Sequence, residues 1–224
     1  MSKVAIIIPM YNEELTIKNV VLELQQKYPD YEIIIVDDAS EDNSYKEATI
    51  KGVWLLKHIV NLGQGAAIQT GIEFVRKLNI KYIITFDADG QHNADDIKEF
   101  VATLEKGYDI VLGSRFLGSA ENISFFKKYF LKLSRIFTFI STGIWLSDSH
   151  NGFRAINISN PNFNITENRM AHASEIIDLI KKLNMKYIEK PCTIRYTSYS
   201  LKKGQSMSNA IGIIIEYIIG RLTR

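Results

Sequence analysis

The sequence predicts a single α/β domain in which helices cover both faces of a mostly parallel sheet. Short β-branched runs alternate with segments of helical period through the first half of the 224-residue chain. The first run, Val4 to Ile8, is apolar without interruption, which is typical of a strand that is covered on both faces. No repeat, low-complexity segment or interdomain linker interrupts the pattern. Repeated strand–helix alternation most simply builds a parallel sheet.

The predicted elements follow one another with short connections. A helical pattern lies between Leu15 and Leu24, Gly65 to Leu78 forms a longer helix, and Ala173 to Leu183 forms another in the less regular second half. Asn157 to Asn168 is rich in turn formers and is predicted to be a loop or hairpin. The remaining predicted strands are Glu32 to Val36, Val53 to Leu56, Tyr82 to Phe86, Ile110 to Leu112 and Tyr187 to Ile194.

Composition and charge exclude several classes of protein. Hydrophobic residues make up 46% of the chain and charged residues 23%, an ordinary globular balance that excludes wholesale disorder. A net charge of only +2 does not favour nucleic acid as a partner. The one cysteine, Cys192, excludes an internal disulfide and a Cys-based zinc cluster. Its place in an apolar stretch predicts a buried small side chain rather than a reactive thiol.

Two segments predict contact with a membrane surface. Within Ile123 to Leu146, Lys128, Lys132 and Arg135 share one helical face and aromatic side chains another, as in interfacial helices, although a core helix with a solvated basic face also fits. The apolar tail from Ile211 to Ile219 either lies in the interface or docks on a partner, including a second copy of the chain. Because no apolar stretch reaches roughly 20 residues and the start lacks a signal-peptide pattern, we expect a cytoplasmic protein, peripheral on the inner face of the cell membrane.

Acidic and polar residues follow three of the predicted strands. They are Pro9-Met10-Tyr11-Asn12-Glu13, Asp37-Asp38 and Asp87-Ala88-Asp89. In open α/β sheets, ligands bind beyond the carboxyl ends of the strands, where these groups would meet. Any one group alone is explained by a helix cap or a turn. Together they would repel one another unless a cation or ligand gathers there, so we expect a binding site at this edge.

The Asp87-Ala88-Asp89 segment predicts a divalent cation. Residues i and i+2 of an extended segment point the same way, so both carboxylates reach one centre, and Gln91 extends the alternation. Hard oxygen ligands suit Mg²⁺ or Mn²⁺, which keep open positions for phosphate oxygens. Such a cation absorbs the negative charge that develops on a diphosphate leaving group. The adjacent His92 either contacts the phosphates or caps the following helix.

Two further turns carry groups that suit anion binding. Asn61 to Ala67 is a glycine-containing turn that opens a helix, where backbone N–H groups either face an anion or the glycines serve geometry alone. Gly113-Ser114-Arg115 places a guanidinium after another strand, where it pairs either with a phosphate or with a surface carboxylate.

These motifs occur in an order that is shared with a known family. The chain resembles the inverting glycosyltransferases of family 2, which have the GT-A (Rossmann-like) fold, and among them the dolichyl- or polyprenyl-phosphate sugar synthases. The resemblance runs from about Val4 to the Lys203-Gly204-Gln205-Ser206 region. The motifs that carry it are Pro9-Met10-Tyr11-Asn12-Glu13, Asp37-Asp38-Ala39-Ser40-Glu41-Asp42, Asn61-Leu62-Gly63-Gln64-Gly65, Asp87-Ala88-Asp89-Gly90-Gln91-His92, Gly113-Ser114-Arg115 and Gly152-Phe153-Arg154.

The resemblance implies a nucleotide-sugar site at the strand ends. Asp87, Asp89 and Gln91 would hold Mg²⁺ or Mn²⁺. Arg115 would lie near the donor phosphates or the phosphate of an acceptor. The residues implied to border the base, ribose and diphosphate are Pro9, Tyr11, Glu13, Asp38, Gly63, Asp87, Ala88, Asp89 and Lys203.

A general base is needed only for some acceptors. Transfer to a sugar hydroxyl needs a carboxylate to accept the proton, whereas a phosphate acceptor is already anionic. Many family members carry Glu-Asp at the base position, and the corresponding stretch here, residues 171–175, has one acid. Glu175 is therefore either the base or an acid that interacts favourably with a helix dipole. Asp148 is a second candidate.

The predicted function is inverting transfer of a sugar from a nucleotide diphosphate to a lipid-linked acceptor in cell-surface glycan synthesis. The acceptor is either polyprenyl phosphate or a hydroxyl of a lipid-linked saccharide, reached peripherally or through a small membrane partner subunit, and a UDP-sugar is the default donor on family frequency. Residues 1–200 would form the catalytic domain, with its nucleotide-sugar half ending at about 115, and residues 201–224 a basic loop and apolar helix. The alternatives are a non-catalytic nucleotide-sugar-binding subunit of a glycan assembly complex and a nucleotidyltransferase, which would carry a glycine-rich loop after the first strand.

Overall fold

The protein folds around one sheet of seven strands, in the order β3-β2-β1-β4-β6-β5-β7. The computed structural model describes residues 3–121, 135–136, 138–140, 142–149, 151–169 and 171–196. Within these residues the strands are β1 Val4–Met10, β2 Glu32–Asp37, β3 Trp54–Lys57, β4 Tyr82–Thr85, β5 Ile110–Glu121, β6 Arg154–Asn157 and β7 Tyr187–Arg195.

Parallel pairing dominates the sheet, as predicted. Strand β1 pairs in parallel with both β2 and β4, and β2 pairs in parallel with β3. Strand β6 lies between β4 and β5 and runs antiparallel to both. Strand β7 is the last strand of the sheet and pairs in parallel with β5. The carboxyl ends of β1, β2 and β4 therefore meet at one edge of the sheet.

Helices cover both faces of the sheet, which explains the uninterrupted apolar run of β1. Ile6 and Ile8 point into a core that is shared with α1 (Ile17–Lys27) and α4 (Ile97–Glu105). Ala5 and Ile7 point into the core on the opposite face, under α3 (Gln64–Lys77) and α5 (His172–Lys182). Each isoleucine buried in this way contributes about 1.5–3 kcal/mol to folding. The helices are α1 Ile17–Lys27, α2 Ser44–Glu47, α3 Gln64–Lys77, α4 Ile97–Glu105 and α5 His172–Lys182.

Three elements differ from the sequence-based expectation. Strand β6 was not predicted, because its four residues are too short for a period and lie beside an Asn-rich stretch. Helix α4 was also missed. The strand predicted to end at Leu112 continues to Glu121, because β7 pairs with it over most of that length.

The segments predicted to contact a membrane fall largely outside the described residues. Lys128, Lys132, Lys203 and the tail from Ile211 to Ile219 lie outside them. No helix in the part of the chain that the structure describes is long and apolar enough to cross a membrane.

Candidate active site

Asp38 anchors the loop that leads into α3. Its carboxylate accepts hydrogen bonds from the backbone N–H of Leu62 at 2.9 Å and of Gly63 at 2.7 Å, and Nδ1 of His58 lies 2.7 Å away. The other ring nitrogen of His58 lies 2.9 Å from Oγ1 of Thr70 in α3. Asp38 is buried, and its hydrogen bonds hold the loop at residues 62–63 close to the end of β2.

The turn after β1 interlocks with the turn after β2. The N–H of Asn12 donates to Oγ of Ser40 at 3.0 Å, and the N–H of Glu13 donates to Oγ of Ser44 at 2.5 Å. Glu13 is buried, whereas Tyr11 is 39% exposed, which leaves its ring accessible to a ligand. An open cleft of about 430 Å³ lies beside these turns, beyond the ends of β2 and β3. Its lining residues are Ala39, Ser40, Glu41, Lys57, Ile59, Val60 and Asn61.

Asp87, at the end of β4, is held from two sides. Nε2 of His92 lies 2.8 Å from its Oδ2, and Nε2 of Gln64 donates to its Oδ1 at 3.0 Å. Burial disfavours its charge, but attraction and the hydrogen bond from His92, with His172 and Arg154, lower the pKa of Asp87 below its ordinary value. The residue that caps the following 3₁₀ helix is Asn93, not His92.

The negative charge of Asp89 is disfavoured in the folded protein. Its oxygens accept hydrogen bonds from the backbone N–H and the side-chain amide of Gln91. Burial, together with the negative charge of Asp87, raises the pKa of Asp89 to about 6. A cation between the two carboxylates would remove this penalty.

The donor set fits a hard divalent cation that takes part of its shell from phosphate or water. Among the described residues, no group of three or more Asp, Glu, His or Cys side chains is arranged to hold a metal. Asp87 and Asp89 would supply two carboxylates, and the amide oxygen of Gln91 a neutral ligand. Mg²⁺ usually takes one or two carboxylates from a protein, with the remaining positions left for other oxygens.

Two backbone N–H groups of the glycine turn before α3 already have acceptors within the protein. The N–H of Gly63 is bonded to Asp38, and that of Ala66 donates to the carbonyl of Asn168 at 3.0 Å, so these amides already have protein acceptors. A Cβ on Gly65 would lie 1.9 Å from the carbonyl oxygen of Glu167. The turn is therefore packed directly against residues 167–168, and a nucleotide contact by Gly63 stays a prediction.

Glu175 holds the same loop in place. Its carboxylate accepts hydrogen bonds from the N–H and hydroxyl of Thr166 and, at 2.8 Å, from the N–H of Glu167. It lies in the first turn of α5 and is buried. Its role as a base stays a prediction, but the acid has a positioning role in this fold.

Arg115 and Asp148 form a buried ion pair. Nε of Arg115 lies 2.6 Å from Oδ2 of Asp148, and its Nη1 donates to the hydroxyl of Tyr196 at 2.5 Å. Asp148 in turn is positioned by Glu189 of β7, which accepts hydrogen bonds from the N–H groups of Ser147 and Asp148. The sequence identifies Arg115 and Asp148 as candidates but does not predict that they pair. The contacts of Arg115 with Asp148 and Tyr196 link three separate parts of the chain.

Two further buried residues, Arg154 of β6 and His172 of α5, have no role predicted from the sequence. They are 2% and 3% exposed, respectively. Burial lowers the pKa of His172 to about 4, and Arg154 adds to this. Cys192 is buried, as predicted, and burial raises the pKa of its thiol to about 12.

The model of one protein family, described as glycosyl transferase family 2, matches residues 5–160. The chain belongs to glycosyl transferase family 2. The match covers β1 to β6 and both carboxylates of the Asp87-Ala88-Asp89 motif, so this resemblance, inferred from ordered motifs, is confirmed.

Relatives of this family 2 chain include transferases that are named for lipid phosphates. It is 36% identical to the UDP-N-acetylglucosamine–dolichyl-phosphate N-acetylglucosaminyltransferase of Methanococcus voltae, over 95% of this chain and 92% of the relative. An uncharacterized protein of Methanocaldococcus jannaschii is 32% identical over 98% of this chain and 93% of its own. The undecaprenyl-phosphate 4-deoxy-4-formamido-L-arabinose transferase of Proteus mirabilis is 37% identical, over 49% of this chain and 36% of its own.

Solved structures confirm the predicted GT-A fold. Glucosyl-3-phosphoglycerate synthase from Mycobacterium tuberculosis, crystallised with Mn²⁺, UDP-glucose and phosphoglyceric acid, superposes with a TM-score of 0.74. The alignment covers 99% of this family 2 chain and 79% of the synthase. At 14% identity it establishes the shared fold.

Proposed function

We propose that the chain is an inverting, metal-dependent glycosyltransferase that moves a sugar from a nucleotide diphosphate donor to a polyprenyl phosphate. The observation that carries this proposal is the pair of carboxylates Asp87 and Asp89 after β4, with the buried cation Arg154 interacting with Asp87. This pairing of opposite charges suits a cation and two phosphate-bearing substrates. The family match and the lipid-phosphate relatives support the same reaction.

Mg²⁺ or Mn²⁺ would be held by Asp87, Asp89 and Gln91. When bound, the cation supplies neutralisation of the charge on the departing nucleoside diphosphate. His92 and Gln64 keep the Asp87 carboxylate in one orientation by hydrogen bonds of 2.8 and 3.0 Å. Pre-set ligands of this kind lose less freedom when the cation binds.

The donor nucleoside would lie between the turns after β1 and β2. Tyr11 offers an exposed ring, and Pro9, Glu13 and Asp38 border the same edge. We infer roles for Gly63 and Ala88 in the shape of this site and for Lys203 over the diphosphate, and we take a UDP-sugar as the default donor.

A phosphate acceptor is favoured over a sugar hydroxyl. Glu175 accepts hydrogen bonds from Thr166 and Glu167, and Asp148 is paired with Arg115, so both candidate bases already serve other groups. A polyprenyl phosphate needs no base, because its attacking oxygen is already anionic. Arg115, while it stays paired with Asp148, would add positive charge where that phosphate binds.

The lipid substrate would be reached from the inner face of the membrane by peripheral contact or through a membrane partner subunit. Ile140 is 77% exposed and Trp145 is 56% exposed, and the guanidinium of Arg135 lies 5.2 Å from the Trp145 ring centroid. Aromatic and basic groups together suit an anionic lipid interface. Self-association through the tail at 211–219 belongs to the same proposal.

Nucleotide screening tests the donor half of this proposal. Thermal unfolding of the protein would be followed with UDP, GDP and dTDP, each with and without Mn²⁺. A shift that needs both a nucleoside diphosphate and Mn²⁺ is expected, because Asp87 and Asp89 would hold the cation that neutralises the diphosphate. The absence of any metal-dependent shift with all three nucleotides would overturn the proposal.

A further inference from the structure

Arg154 is a buried cation that interacts electrostatically with Asp87 and Asp148 but forms no direct ion pair with either carboxylate. Its side chain is 2% exposed, and no ion pair to it forms within the described part of the chain. Its one hydrogen bond there runs from Nη2 to the carbonyl oxygen of Ala173, at a long 3.5 Å. Burial lowers the pKa of Arg154 to about 10, so the guanidinium still carries its charge at neutral pH. A buried charge without a close partner is costly to keep unless a ligand pairs with it.

The sheet topology brings this cation to the metal motif. Because β6 runs antiparallel, its first residue, Arg154, pairs with Thr85 at the end of β4, and Asp87 follows two residues later. Oγ1 of Thr85 donates to the carbonyl of Gly152 at 2.6 Å, which fixes the approach to β6. A Cβ on Gly152 would lie 2.8 Å from Oδ2 of Asp87, so the backbone before Arg154 runs directly against that carboxylate.

His172 offers a hydrogen-bond acceptor from the other side. Its Nδ1 lies 2.7 Å from the carbonyl oxygen of Arg169, which only accepts, so the ring proton is on Nδ1. Nε2 therefore carries the lone pair, and no described residue donates to it. The contact between Arg154 and Ala173 places the guanidinium beside the same turn of α5.

We propose that Arg154 and His172 form a subsite for a sugar phosphate, in which Arg154 binds a phosphate oxygen and Nε2 of His172 accepts a hydrogen bond from a hydroxyl. The glycosyl diphosphate end of a nucleotide sugar carries both groups in one molecule, whereas a polyprenyl phosphate carries the phosphate alone. This inference rests on the proposed function for the identity of the substrates.

Substitutions at Arg154 test the phosphate contact. Arg154→Gln removes the charge and Arg154→Lys keeps it with shorter reach. Binding of UDP with Mn²⁺ and of farnesyl phosphate would be measured by calorimetry, together with the KM of each substrate in a transfer assay. Arg154→Gln is expected to weaken UDP binding by about 10- to 100-fold, the range for loss of a charge-assisted hydrogen bond, and Arg154→Lys less. Weaker binding of farnesyl phosphate alone would assign Arg154 to the acceptor and overturn the sugar-phosphate subsite.

His172 variants test the hydroxyl contact. His172→Ala is expected to lower kcat/KM for the nucleotide sugar by about tenfold and to leave UDP affinity unchanged, because UDP lacks the sugar. His172→Gln retains an acceptor oxygen and is expected to restore most of this loss. A purely structural role would move UDP affinity and stability together and would not be rescued by Gln.

Arg76→Lys is the matched control. Arg76 is also an arginine that ties a helix to a loop, but it donates to Phe163 and Asn164, on a loop away from Asp87. It is expected to lower the unfolding temperature without changing either affinity. If Arg154→Gln, or Arg154→Met where Gln does not fold, binds UDP with Mn²⁺ within twofold of the unmodified protein, the subsite is overturned. Calorimetry decides this even where the transfer assay shows no activity, so the failure of the subsite and that of the proposed reaction are distinguishable.

Discussion

Nε of Arg115 lies 2.6 Å from Oδ2 of Asp148, and both side chains are buried. Asp148 also accepts a hydrogen bond from the backbone N–H of Arg115 at 3.1 Å. Burial disfavours the charge of Arg115, but the charge attraction and hydrogen bonds of Asp148 and Tyr196 together outweigh it and raise the pKa of Arg115. The guanidinium is therefore held in one place.

Breaking this pair is expected to be costly. Asp148→Asn leaves the Arg115 cation buried without its anion, and we expect the free energy of unfolding to fall by about 3–5 kcal/mol. Urea denaturation measures the change. Glu99→Gln is the control, because it removes an exposed contact with Lys190 and should leave the urea midpoint unchanged. Equal changes in the two variants would contradict the role that the buried pair has here.

Glu175→Gln separates positioning from base catalysis. Gln retains one acceptor oxygen for the turn at Thr166, so we expect a stability loss of about 1–2 kcal/mol. With polyprenyl phosphate as acceptor, kcat should stay within about tenfold of the unmodified protein, because no base is needed. A fall of about 10²–10⁴ in kcat with donor affinity retained would instead identify Glu175 as a general base.

Asp89→Asn should stabilise the metal-free protein while it abolishes metal-linked binding. The pKa of Asp89 is raised to about 6, so above that pH its negative charge destabilises the folded protein. In the unfolded chain the carboxyl loses its proton at a lower pH and without this cost. In EDTA at pH 7.5 the variant should be more stable by about 1–3 kcal/mol; at pH 4.5 this difference should fall to about a third, and it should vanish only below the ordinary pKa of 3.8. Urea denaturation at the two pH values measures this.

The same variant should also lose the unfolding shift that Mn²⁺ and a nucleoside diphosphate produce together. Asp95→Asn, at an exposed acid that pairs with Lys27, is the control and should keep that shift. A full shift with Asp89→Asn would rule out Asp89 as a metal ligand.

His172 should make stability fall as the solution is acidified. The pKa of His172 is lowered to about 4 in the fold, below the ordinary value of 6.5, so between these pH values the unfolded chain binds a proton that the folded protein does not. Stability contributed by the neutral ring is complete above pH 6.5 and is lost as pH falls toward 4, by about 2–3 kcal/mol. His172→Gln should show a correspondingly flatter profile over this range, and parallel profiles would contradict the shift.

The strand ends could be predicted from the sequence because their signals are local. An apolar run such as Val4 to Ile8 specifies a buried strand, and the acids after β2 and β4 stand next to such runs. Strand β6 lacked such a signal, since its burial depends on β4 and β5, about 70 and 40 residues away. The contacts of Glu175 with Thr166 and of Arg115 with Tyr196 are tertiary, so no spacing in the sequence reveals them.

Transfer of labelled sugar from a nucleotide sugar to polyprenyl phosphate, with Mn²⁺ or with EDTA, tests the central claim most directly. A panel of UDP-, GDP- and dTDP-sugars would be used, and the lipid product would be extracted and its anomeric configuration determined. We expect label in the lipid fraction with one donor class, with inverted configuration and only when the cation is present. A folded protein that binds nucleotide but transfers no sugar to polyprenyl phosphate, or transfers it equally well in EDTA, would contradict the account.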